Sequence, residues 1–279
     1  MIQDIAPHIY DNAYRPEAPG ADSYALYYED HTALISRSGE AEFDFPRFQD
    51  LEGCNDDIYQ NCTYLFSIDH QRFYLVEHIT IPAPSAFSME NTLFFRVGTP
   101  GYLAFAGITG YQLFTWYRSH HYCGRCGAPL RHDEKERMMF CASCHQMEFP
   151  KISPAVIIGV TDGNKLLLSK YAGRTYKKYA LLAGFTEIGE TLEETVKREV
   201  MEEVGLKVTN IRYYKNQPWS FSDSLLVGFF CDLAEPGDIR LDQDELALAK
   251  WFEREDLPTD DDEQISLTRE MIQFFHDQT

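Results

Sequence analysis

The sequence predicts an α+β protein in three parts: a β-rich region over residues 1–117, a four-cysteine segment over 118–150 and a mixed α/β domain over 151–279. Three observations predict it. Short alternating apolar runs broken by Asp, Gly and Pro fill the first part. Two close cysteine pairs follow. Beyond Pro150 the texture becomes a strand hairpin and then a capped amphipathic helix.

In chain order, Thr63-Tyr64-Leu65-Phe66-Ser67 and Arg72-Phe73-Tyr74-Leu75-Val76 read as strands, and residues 108–119 as a short helix leading into the cysteines. Ala155-Val156-Ile157-Ile158-Gly159-Val160 and Lys165-Leu166-Leu167-Leu168-Ser169 flank Asp162-Gly163-Asn164, which is hairpin turn chemistry. A helix is expected over 191–204: Thr191 and Glu194 form a capping box, and Gly205 supplies the stop. Further strands are expected at 207–214 and 225–233, and a last helix at 264–275.

The chain of 279 residues is 44% hydrophobic and 14% aromatic, so it can bury a good core. No apolar run approaches the ~20 residues of a membrane helix. The first ten residues lack the cationic start and apolar stretch of a leader, so a cytoplasmic location is expected. Four of the seven cysteines are paired in the sequence. The others, Cys54, Cys62 and Cys231, are expected to be buried small hydrophobes. The net charge of −19 is uneven. Residues 1–117 carry 5 basic against 16 acidic groups (−11), residues 232–279 carry 4 against 15 (−11), and residues 118–231 carry 16 against 13 (+3). The acidic flanks repel a long polyanion, whereas the positive middle suits a small anionic ligand.

Cys123-Gly-Arg-Cys126 and Cys141-Ala-Ser-Cys144 are two C-x-x-C knuckles 14 residues apart. Each offers two thiolates to one tetrahedral ion, and a hairpin between them can bring the second pair back to the first. Zinc is expected at this site. Four sulfur ligands leave no open position, so its role is structural. Arg118, Arg125, Arg131, Lys135 and Arg137 surround the site, but Glu134 and Glu136 interrupt the basic run, which weighs against a nucleic-acid surface.

On the helix of 191–204, Glu199, Glu202 and Glu203 stand at i, i+3 and i+4 and share one face. Three adjacent carboxylates repel one another unless a cation neutralises them. Hard oxygen ligands at this density suit Mg²⁺ or Mn²⁺, which also bind phosphate oxygens. Arg198 can orient Glu190 beside them. An ordinary charged surface helix alternates its signs, and Glu199-Val-Met-Glu202-Glu203 does not.

From Gly184 to Leu206 the segment meets every fixed position of the box G-x5-E-x7-R-E-U-x-E-E-x-G-U, where U is aliphatic. It thereby resembles the Nudix hydrolases, which cleave a nucleoside diphosphate linked to another group. The resemblance implies an α/β/α sandwich with a mixed sheet, divalent metal at Glu199, Glu203 and the Ala183 carbonyl, and a catalytic role for Glu199, Glu202 and Glu203. A four-cysteine ribbon before such a domain is similar to the NADH pyrophosphatase family. So is Gln217-Pro218-Trp219-Ser220-Phe221-Ser222-Asp223-Ser224, although Asn216, Ser220 and Ser222 stand where that family has Ser, Pro and Pro. Over about residues 111–251 the resemblance implies that Gln217 to Ser224 line a dinucleotide site, with Trp219 and Phe185 stacking on a base. It also implies that Glu136 and Phe149 reach the substrate across a homodimer, with Phe149 replacing a Tyr, and that Glu245 is a further metal ligand. The expected activity is hydrolysis of NADH or NAD⁺ to nicotinamide mononucleotide plus AMP, together with removal of the NAD cap from RNA 5′ ends. The alternatives are a broader pyrophosphatase acting on ADP-ribose or diadenosine polyphosphates, and a nucleotide-sensing regulator without catalysis. An intact row of three glutamates argues against the regulator.

Overall fold

A computed structural model describes residues 1–173, 178–259 and 265–278. The chain divides into two compact units, one of Met1, Ile152–Trp219 and Asp223–Thr279, the other of Ile2–Lys151 and Ser220–Ser222.

In the first unit β1 (Ser153–Asp162) and β2 (Lys165–Tyr171) form the expected hairpin, closed by Gly163 at φ +58°. Then follow β3 (Leu182–Phe185), α1 (Leu192–Val204), β4 (Val208–Trp219), β5 (Ser224–Leu233), β6 (Leu246–Glu253) and α2 (Leu267–Asp277). The sheet runs β4-β5-β1-β2-β6, with β3 also paired to β1. It is mixed, because β1 and β5 are parallel while the other pairs are antiparallel.

Strand alternation assigns the two faces. Val156, Ile158 and Val160 of β1 pack with Leu182, Val227 and Phe229 against Val196, Val200 and Val204 of α1. Ile157, one residue out of phase, packs with Leu166, Leu168 and Phe230 against Leu267, Met271, Ile272 and Phe275 of α2. The sheet is therefore covered on both sides, which is the α/β/α sandwich the family resemblance implied. Gly228 lets α2 sit close: a Cβ there would lie 2.7 Å from the Met271 sulfur.

Helix α1 begins and ends as its residues require. The Thr191 hydroxyl accepts from the Glu194 amide at 3.2 Å, the Glu194 carboxylate accepts from the Thr191 amide at 2.8 Å, and Gly205 takes φ +68° at the C-terminus. Strand β4 runs five residues past its expected end. Lys215, Asn216, Gln217 and Pro218 look unlike a strand, yet Asn216 to Trp219 stay in register with β5.

In the second unit, Cys62–Ile68 and Gln71–Val76 pair as expected, in a sheet whose order is Tyr10–Asp11, Cys62–Ile68, Gln71–Val76, Tyr24–Leu26. A further sheet joins Tyr28–Glu29, Thr32–Arg37, Phe43–Asp44 and Phe87–Asn91. The helix expected from residue 108 spans Gly101–Ser119. Gly107 and Gly110, within it, admit close neighbours, since Cβ atoms there would lie 2.6 Å from the Phe95 ring and 2.5 Å from Leu26. Of the three unpaired cysteines, Cys231 is buried and Cys62 partly so, but Cys54 is exposed. It ends the 3₁₀ turn Glu52–Cys54, which buries none of its residues, so there is no core for it to join. Among the described residues no helix is long and apolar enough to cross a membrane.

Candidate active site and zinc site

The acidic face of α1 lies over β3. Glu199 is 7% exposed and Glu203 1% exposed, so two carboxylates of one helix face are buried side by side. Glu199 rests on Gly184: a Cβ there would fall 1.9 Å from its carboxyl carbon and 2.0 Å from one of its oxygens. Only glycine leaves room for that carboxylate. Gly184→Ala is accordingly expected to displace Glu199 and lower activity about 100-fold while the protein still folds, because the clash is with a side-chain end and the strand can keep its pairing. Steady-state turnover beside a thermal melt checks this.

Arg198 holds the charges together. Its Nε donates to Glu190 at 2.6 Å, and Nη2 donates to Glu190 and to the Phe185 carbonyl, both at 2.9 Å. Nη1 donates to Glu199 at 2.8 Å and to Glu202 at 2.9 Å. The Thr195 hydroxyl also donates to Glu190, at 3.0 Å. The Arg198 guanidinium holds the Glu190 carboxyl down to about 2. Burial acts the other way on Glu199 and raises it above the usual range, opposed by Arg198 and assisted by the charges of Glu202 and Glu245.

Glu245 is far along the chain and is brought back by backbone bonds. After β5, Arg240 N–H donates to the Val204 carbonyl at 2.9 Å and Asp242 N–H to the Glu203 carbonyl at 3.0 Å. Ala172 N–H then donates to the Glu245 carbonyl at 2.8 Å. The segment is thus tied to the last turn of α1, near enough for the charge of Glu245 to act on Glu199. Ala183, on β3, pairs with Ile157 of β1. Glu199 and Glu203 are buried carboxylates, and hard oxygen donors of this kind suit a divalent cation.

The opposite face of the same sheet end carries the aromatic groups. Phe185 pairs with Ala155, Ala155 with Leu226, and Leu226 with Gln217, so all four share a face. It is the α2 face, since Leu226 packs in the α2 core. Trp219, two residues on from Gln217, belongs to the same face. Phe185 is 55% exposed and Trp219 half-buried. Gln217 is fully buried, its amide Nε2 donating to the Ile265 carbonyl at 2.8 Å and its Oε1 accepting from Leu267 N–H at 2.7 Å. Its side chain therefore faces the start of α2 rather than open space. Pro218 is exposed and Ser224 buried opposite Trp219. Ser153 N–H donates to the Asp223 carbonyl at 2.7 Å. Ser220, Phe221 and Ser222 group with the other unit, where the Arg96 guanidinium lies 5.4 Å over the Phe221 ring. Glu136 and Phe149 are exposed in that unit as well.

Cys123, Cys126, Cys141 and Cys144 converge, with all four sulfurs within 4.8 Å of one another. Strands Arg131–His132, Met139–Phe140 and Met147–Glu148 form the hairpin sheet that returns the second knuckle. Cys123 and Cys144 sulfurs are 3.6 Å apart, and Cys126 and Cys141 sulfurs 3.5 Å. Backbone N–H groups of Cys144 and Ser143 lower the Cys141 thiol, while the neighbouring cysteine sulfurs raise that of Cys144. The sulfur set fits one tetrahedral zinc ion.

Residues 151–273 match the family model of the NUDIX domain, and residues 118–149 that of the NADH pyrophosphatase zinc ribbon domain. Residues 151–273 are a Nudix domain. The chain is 43% identical over 159 residues to the NAD-capped RNA hydrolase NudC of Klebsiella pneumoniae strain 342, covering 57% of this chain and 61% of that one. It is 44% identical over 149 residues to the protein of that name from Photorhabdus laumondii, covering 53% and 58%. The match thus spans about six tenths of the length of these curated relatives. A solved Nudix hydrolase from Nitrosomonas europaea is similar at 25% identity, covering 55% of this chain and 89% of that one with a TM-score of 0.48. The charged Nudix positions are plain in the sequence. Why residue 184 is a glycine and what Gln217 holds are not, because a void and a buried backbone partner leave no charge or period to read.

Proposed function

We propose that this protein hydrolyses the diphosphate linkage of NADH and NAD⁺ to nicotinamide mononucleotide plus AMP, and cuts the same bond to remove the NAD cap from RNA 5′ ends. The observation that carries the proposal is the two-sided sheet end: buried Glu199 of α1 rests on its Gly184 seat on one face, while Phe185 and Trp219 lie on the opposite face. A dinucleotide has the same division, a charged centre and flat bases at its ends.

Glu199, Glu203, Glu245 and the Ala183 carbonyl would hold Mg²⁺ or Mn²⁺. When bound, such an ion neutralises charge developing on the diphosphate and lowers the pKa of an attacking water. The protein's own part is positioning. Arg198 keeps Glu199 and Glu202 aimed along one face. Glu202, the most exposed of the three, is the residue to which we assign acceptance of a proton from water, a reading its exposure supports. Phe185 and Trp219 offer ring faces to a base. Gln217 to Ser224 frame the dinucleotide site, through Gln217's hold on α2 and through the turn at Ser220, Phe221, Ser222 and Asp223. Glu136 and Phe149 are proposed to complete the site from a second copy of the chain in a homodimer in the cytoplasm. The zinc ribbon is structural.

Product analysis tests this reading. NADH is expected to yield two mononucleotides and no free nicotinamide, since the carboxylates address only the diphosphate. NADH, NAD⁺, ADP-ribose and NAD-capped RNA run side by side distinguish this activity from a broader pyrophosphatase, and turnover of ADP-ribose in preference to all the others would refute it.

A further inference from the structure

The amide of Gln217 joins two elements that the sequence separates by about fifty residues. It lies on β4, next to Pro218 and Trp219, and both its ends are bonded to the backbone entering α2, the Ile265 carbonyl and the Leu267 amide. An amide suits this task because it presents one donor and one acceptor from a single planar group. Leu267 N–H is one of the first-turn donors of a helix, a group without an intrahelical partner. The Ser266 hydroxyl serves Arg269 N–H at 3.4 Å, and Gln217 serves Leu267. The helix entry is thus anchored partly to its own cap and partly to the strand that carries Trp219.

We propose that Gln217 is a positioning residue for dinucleotide recognition: it clasps the end of β4 to the first turn of α2, sets the place of Trp219 on the α2 face of the sheet, and does not itself touch the substrate. Its complete burial keeps the side chain from any ligand. Strand alternation puts Gln217 and Trp219 on the same face, so the clasp fastens the backbone two residues from the ring it orients. Asn216, Ser220 and Ser222 leave the neighbouring backbone freer than prolines would, so the strand end depends more on this clasp. The inference rests on the reading that Trp219 stacks on a base of the substrate.

The test uses the full chain with Gln217→Leu and Gln217→Glu, the latter keeping the acceptor for Leu267 and losing the donor to Ile265. Amide hydrogen exchange reads the clasp without any substrate. Faster exchange is expected both in the peptide holding 216–219 and in the peptide holding 265–270. A change confined to α2, or none, would overturn the clasp. Kinetics with NADH read its consequence. Gln217→Leu is expected to raise KM about 10-fold with kcat and the Mg²⁺ dependence nearly unchanged, and Gln217→Glu to fall between it and the parent. In a Trp219→Ala background the Gln217 effect on KM should vanish, because the residue acts through that ring. Independent, multiplying effects would show that Gln217 meets the substrate itself and would overturn the proposal. Should Gln217→Leu not fold, Gln217→Glu is read in the same ways. A parent chain that does not turn over NADH refutes the functional reading alone, and hydrogen exchange then decides the clasp.

Discussion

Glu203→Gln is expected to fold as the parent does and to lose on the order of 10³-fold or more in turnover. Glutamine has the shape of glutamate, so the packing of α1 on β3 is kept. Removing one buried negative charge from the face shared with Glu199 also relieves repulsion, so the melting temperature should hold or rise. Activity should fall because a neutral amide is a poor ligand for a hard cation and contributes nothing to the field around the diphosphate. The variant at saturating Mg²⁺, measured with NADH beside a thermal melt, separates the two effects. Near-parental turnover would remove Glu203 from the site.

Cys123→Ser is expected to release the bound zinc and to lower the melting temperature sharply. Cys123 and Cys141 are the two buried cysteines of the four that would hold the ion. Structural zinc sites in small peptides contribute on the order of 10 kcal/mol to folding, and the ribbon's three strands are only two residues long each. Little else can hold such strands together. Metal analysis of the purified parent should find one zinc per chain, and its absence there would refute the assignment. Chelation of the parent should reproduce the loss seen in Cys123→Ser.

Much of the Nudix unit is legible in its residues alone. Thr191, Glu194 and Gly205 delimit α1 to within a residue because caps are local chemistry. Asp162-Gly163-Asn164 marks its hairpin for the same reason. The carboxylate row is legible because helix geometry places i, i+3 and i+4 together without further information. What the residues do not disclose is non-local. The helix Gly101–Ser119 starts seven residues ahead of its expected beginning, because Gly107 and Gly110 are explained by the Phe95 ring and Leu26, both distant in sequence. Strand β4 outruns its expected end because polar Gln217 is satisfied by Ile265 and Leu267. Cys54 has the chemistry of a core residue, but its 3₁₀ turn reaches no core. In each case the sequence states a residue's preference but not the partner that meets or refuses it.

The two-faced end of β3 bears on how this chain can change. Ala183, Gly184 and Phe185 alternate between the α2 side and the α1 side, with the Glu199 seat in the middle. Substitutions at Phe185 alter one wall and leave the seat alone. Inserting or deleting a single residue upstream in the strand would exchange the walls, turning a phenylalanine toward Glu199 and the small residue toward the bases. The spacing from Leu182 to Phe185 therefore keeps the Glu199 seat and the Phe185 ring on their separate sides.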